Sequence, residues 1–174
     1  MLNPVALAAR VKETALLEGD FTLRSGKKSK YYFDKYLFET QPDILETMGA
    51  EIARRIPAGT QRIAAPELGA VALGAAASLA SRLPFFIVRN AKKEYGTGKQ
   101  IEGVLKAGEK VVLVEDIITT GGQVLEAIKV IRGMGATVDT VIVALDRQEG
   151  GRAAIEAMGC TVASILTKQD LGIQ

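Results

Sequence analysis

Histidine is absent from the 174 residues, and cysteine occurs once, at Cys160. The first absence excludes imidazole acid–base catalysis, serine–histidine nucleophile pairs and histidine metal sites. The second excludes an intramolecular disulfide, and the apolar run 160–166 around Cys160 points to a buried structural thiol rather than a nucleophile. Excess charge is lacking too. With a net charge of +2 and acids and bases interspersed, nothing suggests a nucleic-acid surface. No stretch is both long and uncharged enough to span a bilayer, and residues 1–10 lack a basic region followed by a long apolar one. A cytoplasmic protein without membrane or nucleic-acid partners is expected. Its chemistry has to come from carboxylates, lysines, arginines, backbone amides or a metal held by oxygen.

What is present is ordinary for a folded domain: 48% hydrophobic and 24% charged residues, enough for one substantial core across 1–174. Asn3-Pro4 is a cap and first-turn pair for a helix reaching Leu17. Residues 21–23 and 31–33 read as two short strands joined by the basic turn 24–30. Region 1–40 is thus a small hood containing a helix and a β-hairpin. From 41 onward, helices are expected at 42–56, 70–82, 122–134 and 151–158, and strands at 62–65, 85–88, 110–114, 138–145 and 161–166. This alternation predicts an α/β fold with a doubly wound, mainly parallel sheet, whose ligands lie beyond the carboxyl ends of the strands. The connection 89–103 is too long to be idle. Gly96, Gly98 and Gly103 supply hinges, and Arg89, Lys92, Lys93 and Lys99 bring positive charge, so the segment reads as a lid.

The run Val111-Val-Leu-Val-Glu-Asp-Ile-Ile-Thr-Thr-Gly-Gly122 carries the functional signal. A buried strand is followed by Glu115 and Asp116, then by Thr119, Thr120, Gly121 and Gly122 opening a helix. Glycines let backbone amides approach an anion, hydroxyls add donors, and the helix start offers free N–H groups, so the turn suits a phosphate. The two carboxylates would repel that phosphate, so their partners are neutral hydroxyls, such as those of ribose, or a metal ion. Other phosphate motifs fail. No G-x-G-x-x-G follows the first strand, and Gly98-Lys99 is followed by Gln100 and has Lys93 where a P-loop needs glycine.

Segment 111–122 resembles the phosphoribosyl-pyrophosphate signature of type I phosphoribosyltransferases. Segments 21–34, 89–103 and 144–149 are similar to the hairpin, catalytic loop and base-binding strand end of the orotate branch of that family. The resemblance implies the type I phosphoribosyltransferase fold. It also implies transfer of ribose 5-phosphate from phosphoribosyl pyrophosphate to orotate, giving orotidine 5′-monophosphate and pyrophosphate in pyrimidine biosynthesis. Transfer to another base, or a non-catalytic regulatory protein binding the same sugar phosphate, are the alternatives. Residue by residue, the resemblance puts Glu115 and Asp116 on ribose hydroxyls and Thr119, Thr120, Gly121 and Gly122 on the 5-phosphate. Tyr32, Phe33, Thr119 and Arg147 fall at the base, and Arg24, Leu68, Gly69, Lys92 and Tyr95 around the pyrophosphate. Lys93, Arg89 and Asp116 are the catalytic candidates. Arg147 alone reads equally as the ion-pair partner of Asp146. Asn90 and Tyr95 depart from the lysine and histidine that many members carry. Mg2+ is implied mainly through the substrate pyrophosphate rather than a protein metal site, and a homodimer with shared active sites is implied because the loop closes over the neighbouring subunit.

Overall fold

Residues 1–22, 28–90 and 100–173 are described by the computed structural model. The chain opens with α1 (Pro4–Ala15), where the Asn3 side chain accepts the Ala6 N–H at 2.9 Å. Its buried stripe is Leu7, Ala8, Val11 and Ala15. The helix stops two residues before Leu17, because Leu16 and Leu17 already belong to β1 (Leu16–Thr22), opposite Phe33 and Tyr32 of β2 (Lys28–Phe33). Cross-strand contact with two aromatic residues outweighs the helix preference of leucine. A short helix not foreseen in the sequence follows: α2 (Lys35–Glu39), capped by Asp34, whose carboxylate accepts the Tyr36 N–H at 3.1 Å.

The core then alternates as expected through α3 (Pro42–Arg55), β3 (Arg62–Pro66), α4 (Ala70–Ser81), β4 (Phe85–Val88), β5 (Ile101–Glu102), β6 (Lys110–Ile118), α5 (Gly122–Gly133), β7 (Thr137–Asp146), α6 (Gly151–Glu156) and β8 (Thr161–Thr167). The six-stranded sheet has the order β5-β4-β3-β6-β7-β8, with β6 central and every pairing parallel except that of β5 with β4. Two corrections follow. The connection after β4 is not structureless to Gly103, since Ile101 and Glu102 pair back on Val88 and Ile87. Strand β6 does not end at Val114: it runs on to Ile118, because Ile117 and Ile118 continue the ladder opposite Leu145 and Asp146. The two acids therefore sit inside the strand.

Alternation along β6 gives the sheet its two covered faces. Val112 and Val114 join Ile44, Met48, Ile52 and Leu73 of α3 and α4, together with Leu7 and Val11 of α1 and Phe38 of α2. Val111 and Leu113 join Val124, Ile128 and Ile131 of α5 and Ile155 of α6. Cys160 is buried on that second face, as expected, and burial pushes its thiol above the usual range. Among the described residues no helix is long and apolar enough to cross a membrane. Helices α3 and α4 meet where Gly49 lies against Ala76, and a Cβ on Gly49 would come within 2.8 Å of the Ala76 backbone carbon. Gly49→Ala should therefore force the two helices apart and lower stability by about 1–3 kcal/mol, read from the denaturant midpoint at unchanged slope.

Candidate active site

The central strand hands over to α5 through the turn Thr119-Thr120-Gly121-Gly122. Gly121 has φ +81°, a conformation costly for side-chain-bearing residues, and it caps α5 without a side-chain hydrogen bond. No acidic residue stands in the first turn of α5, so its free N–H groups face outward unblocked. The turn is held from behind by α6: Gly151 donates its N–H to the Thr119 carbonyl at 2.7 Å. A Cβ on Gly151 would lie 2.5 Å from that oxygen and 2.9 Å from the Gly121 nitrogen, so the approach needs glycine. Glu115 and residues 117–124 line a cavity of about 170 Å³ over this turn. A tetrahedral anion fits the arrangement on chemical grounds.

Beside the turn, three carboxyls are buried together: Glu115, Asp116 and Glu39, with 4%, 2% and 3% of their surfaces exposed. The cation among them is Lys35 of α2, whose Nζ donates to Asp116 Oδ2 at 2.5 Å. Burial works against the Lys35 ammonium, but the hydrogen bond and charge of Asp116, with help from Glu39, more than offset it and raise its pKa. Burial, then the charge of Asp116, drives Glu39 up to about 9, with Lys35 opposing. Glu115 is likewise raised well above the usual carboxylate range, first by burial and then by Asp116. Among the described residues Glu39 Oε1 and Glu115 Oε2 have no hydrogen-bond partner. Lone pairs of this kind invite hydroxyl donors.

On the β3 side, Glu67-Leu68 is a cis peptide and Gly69 starts α4 without a side-chain cap. The Gly69 position of a Cβ is 1.6 Å from Asp116 Oδ2 and 2.9 Å from Lys35 Nζ, so backbone, carboxylate and ammonium converge there. Leu68 projects outward, 69% exposed. Glu67 is a hub that the sequence did not single out. Its carboxylate accepts the Asn90 N–H at 2.9 Å and faces Arg89 at 3.6 Å, and its carbonyl accepts from the Asn90 and Gln123 side chains. Arg89 also faces Glu102 at 3.8 Å, and its N–H bonds to the Gln100 carbonyl at 2.8 Å, tying β4 to β5.

At the other end of the sheet, Arg147 follows β7. Its partner is Glu149 at 3.0 Å, not Asp146, which pairs with Arg152 at 3.1 Å and accepts the Gln148 N–H. Arg147 shares a narrow cavity with Phe33, Tyr31, Leu145 and Lys168. Tyr32 is not among its walls. It lies 5.6 Å from the Phe21 ring, centroid to centroid, and is 44% exposed, because adjacent residues of β2 face opposite ways. The structure thus brings together Glu115, Asp116, Gly69, Thr119, Thr120, Gly121 and Gly122, and separately Phe33 and Arg147. Arg24, Lys92, Lys93 and Tyr95 lie outside the described residues. Lys35, Glu39, Glu67 and Gly151 were missed because each acts through a residue distant in sequence. Lys35 to Asp116 spans 81 positions, and no local spacing signals such a contact.

Residues 40–165 match the phosphoribosyl transferase domain family. The chain is 48% identical to the orotate phosphoribosyltransferase of Methanocella arvoryzae over 166 residues, which cover 95% of each chain. Among solved structures it resembles Mycobacterium tuberculosis H37Rv orotate phosphoribosyltransferase in complex with Fe(III) dicitrate, with TM-score 0.87, 30% identity and coverage of 98% of this chain and 99% of that one. The same mycobacterial enzyme in complex with 5-phospho-alpha-D-ribosyl 1-diphosphate gives TM-score 0.82 and 29% identity at the same coverage.

The raised Glu39 has a stability consequence. Folded, it keeps its proton to about 9, whereas the unfolded chain releases it near 4.5. Its contribution is fully present below the lower value and is lost as pH rises through the folded one. Glu39→Gln, which cannot ionise, should gain melting temperature relative to the parent progressively across that window, as thermal unfolding at a series of pH values would record.

Proposed function

The chain belongs to the phosphoribosyl transferase family as an orotate phosphoribosyltransferase of pyrimidine biosynthesis, and on that premise we propose the residue roles, cation and assembly that follow. The observation that carries the assignment of roles is the juxtaposition of an α5 start that no side chain caps with carboxyls buried inside the strand that precedes it. Thr119, Thr120, Gly121 and Gly122 take the 5-phosphate. Glu115 and Asp116 accept the ribose hydroxyls, neutral donors that buried carboxyls tolerate where a second anion would be repelled. Leu68 and Gly69 offer backbone groups to the pyrophosphate, joined there by Arg89, Lys93, Arg24, Lys92 and Tyr95. Orotate lies towards Arg147 and Phe33, with Tyr32 and Thr119 at its margin. A guanidinium fork suits the base carboxylate, and its ion pair with Glu149 holds Arg147 beside this cavity.

Bond breaking leaves positive charge on the ribose carbon and negative charge on the departing pyrophosphate. Arg89 is positioned to answer the second, by leaving Glu67 and Glu102 for a stronger anion. Lys93 is its partner in this role. Mg2+ fits as a cation carried on pyrophosphate oxygens, since the donors around the turn are carboxyl, hydroxyl and carbonyl oxygens, which suit a hard ion. When bound it would neutralise leaving-group charge. The enzyme works in the cytoplasm as a homodimer in which the 89–103 segment serves the neighbouring subunit.

Purified protein with phosphoribosyl pyrophosphate, Mg2+ and orotate should deplete the ultraviolet absorbance of orotate. Turnover of a purine base in its place would overturn the assignment of the base. Lys93→Ala should lower kcat by roughly a hundred- to a thousandfold, the loss typical of one group stabilising transition-state charge. Mixing Lys93→Ala with Asp116→Ala protein should restore part of the activity, because one hybrid site is intact. No recovery after demonstrated subunit exchange would mean that the loop serves its own subunit.

A further inference from the structure

The short helix α2 contributes two groups to the floor of the sugar site that the roles above do not use. Lys35 Nζ holds Asp116 Oδ2, and both stand against the backbone of Gly69. The other Asp116 oxygen accepts the N–H of Ile117. Behind them Glu39 is 3% exposed, with Oε1 unpartnered among the described residues, although exposed positions lie one turn away on the same helix. Burying a charged or polar side chain without full pairing is costly, so its place here calls for a reason beyond packing. Three acids and one base, all ionised, would carry a net negative charge into a site whose substrate is itself a polyanion. A single ion pair backed by carboxyls that keep their protons would be close to neutral.

We propose that Lys35 and Glu39 are positioning residues for Asp116: Lys35 aims and neutralises its carboxylate so that it can accept ribose hydroxyls, and Glu39 supports it as an uncharged acid. The proposal rests on Asp116 being the hydroxyl acceptor. The groups facing Glu39 are Asp116 and Glu115 from β6, Lys35 from its own helix and Asp34 at the helix cap. The acids favour the proton on Glu39 and Lys35 opposes it. Lys35 keeps its charge throughout the range in which Glu39 titrates, since its pKa lies above the ordinary lysine value. Ionisation of Glu39 would therefore add an unbalanced negative charge next to the sugar.

The test measures calorimetric affinity of the full-length protein for ribose 5-phosphate and, separately, for inorganic phosphate, which has no hydroxyl-bearing ring. Lys35→Met should weaken ribose 5-phosphate roughly ten- to a hundredfold while leaving inorganic phosphate within about threefold, and Lys35→Arg should recover most of the loss. Glu39→Gln should bind as the parent does at neutral pH and hold its affinity above about pH 9, where the parent loses it. Unchanged sugar affinity in Lys35→Met overturns the proposal, as does an equal loss for both probes, which would mean direct contact with the anion or damage to the fold. Glu39→Gln, nearly the same shape as the parent residue, decides the point if the lysine variant does not fold: an alkaline decline identical to the parent's refutes the role of Glu39. A parent protein that binds ribose 5-phosphate no better than phosphate would instead refute Asp116 as the hydroxyl acceptor, and the proposal with it.

Discussion

A carboxylate removed from water must be paired, hydrogen-bonded or protonated, and the centre of this protein is organised by that requirement. Strand β6 carries Glu115 and Asp116 into the sheet rather than presenting them beyond its end, with both nearly inaccessible. The ion pair between Lys35 and Asp116 resolves the most acute part of the problem. It does so with a residue from the hood, so α2 must sit where it does, and the capping Asp34 and the buried Phe38 that hold α2 become part of the same solution. Burial answers the remainder by raising the pKa of Glu39 and of Glu115, which favours the uncharged form of each. A phosphate can then lie at the start of α5 without facing two bare negative charges.

Close backbone approach is the second constraint. Gly69 lets Asp116 and Lys35 meet at the start of α4, and Gly151 lets α6 brace the turn ahead of α5. Neither glycine is there chiefly for backbone freedom. Each leaves room for an oxygen or nitrogen that any Cβ would strike. The turn Thr119–Gly122 is thereby held by three separate elements, β6, α5 and α6, whose relative positions are set by the apolar cluster around Val124, Ile128 and Ile155.

Much of the architecture was readable from local pattern. The apolar runs of β3, β4, β6 and β7 and the amphipathic spacing of α3 and α5 follow from burial on two faces and one face respectively, and the helices covering the sheet lie where periodicity predicts them. The turn Thr119–Gly122 was legible as the joint between a strand and a helix because its residue pattern is local. Boundaries failed where tertiary pairing decided them: Leu16 and Leu17 look helical until Phe33 and Tyr32 lie across from them, and β6 looks finished at Val114 until β7 extends beside it. Helix α2 is too short to show a period. The alternative reading of Arg147 as an ion-pair partner of the adjacent Asp146 is not what the fold makes, since Arg147 pairs with Glu149 and Asp146 with Arg152.

The hood shares a hydrophobic cluster with the sheet: Leu7, Val11 and Phe38 pack with Met48, Leu73 and Val114. It is therefore not an appendage that can loosen at little cost. Any opening of α1 exposes the same apolar surface that supports the central strand, and it withdraws Lys35 from Asp116 in the same event. Ligand affinity and the local unfolding of the first forty residues are consequently linked quantities. Bound sugar phosphate should slow hydrogen exchange in α2, whose Lys35 holds Asp116, and in α1 packed behind it, and drift at a core position such as Val11 would be felt as weaker substrate binding before it was felt as loss of fold.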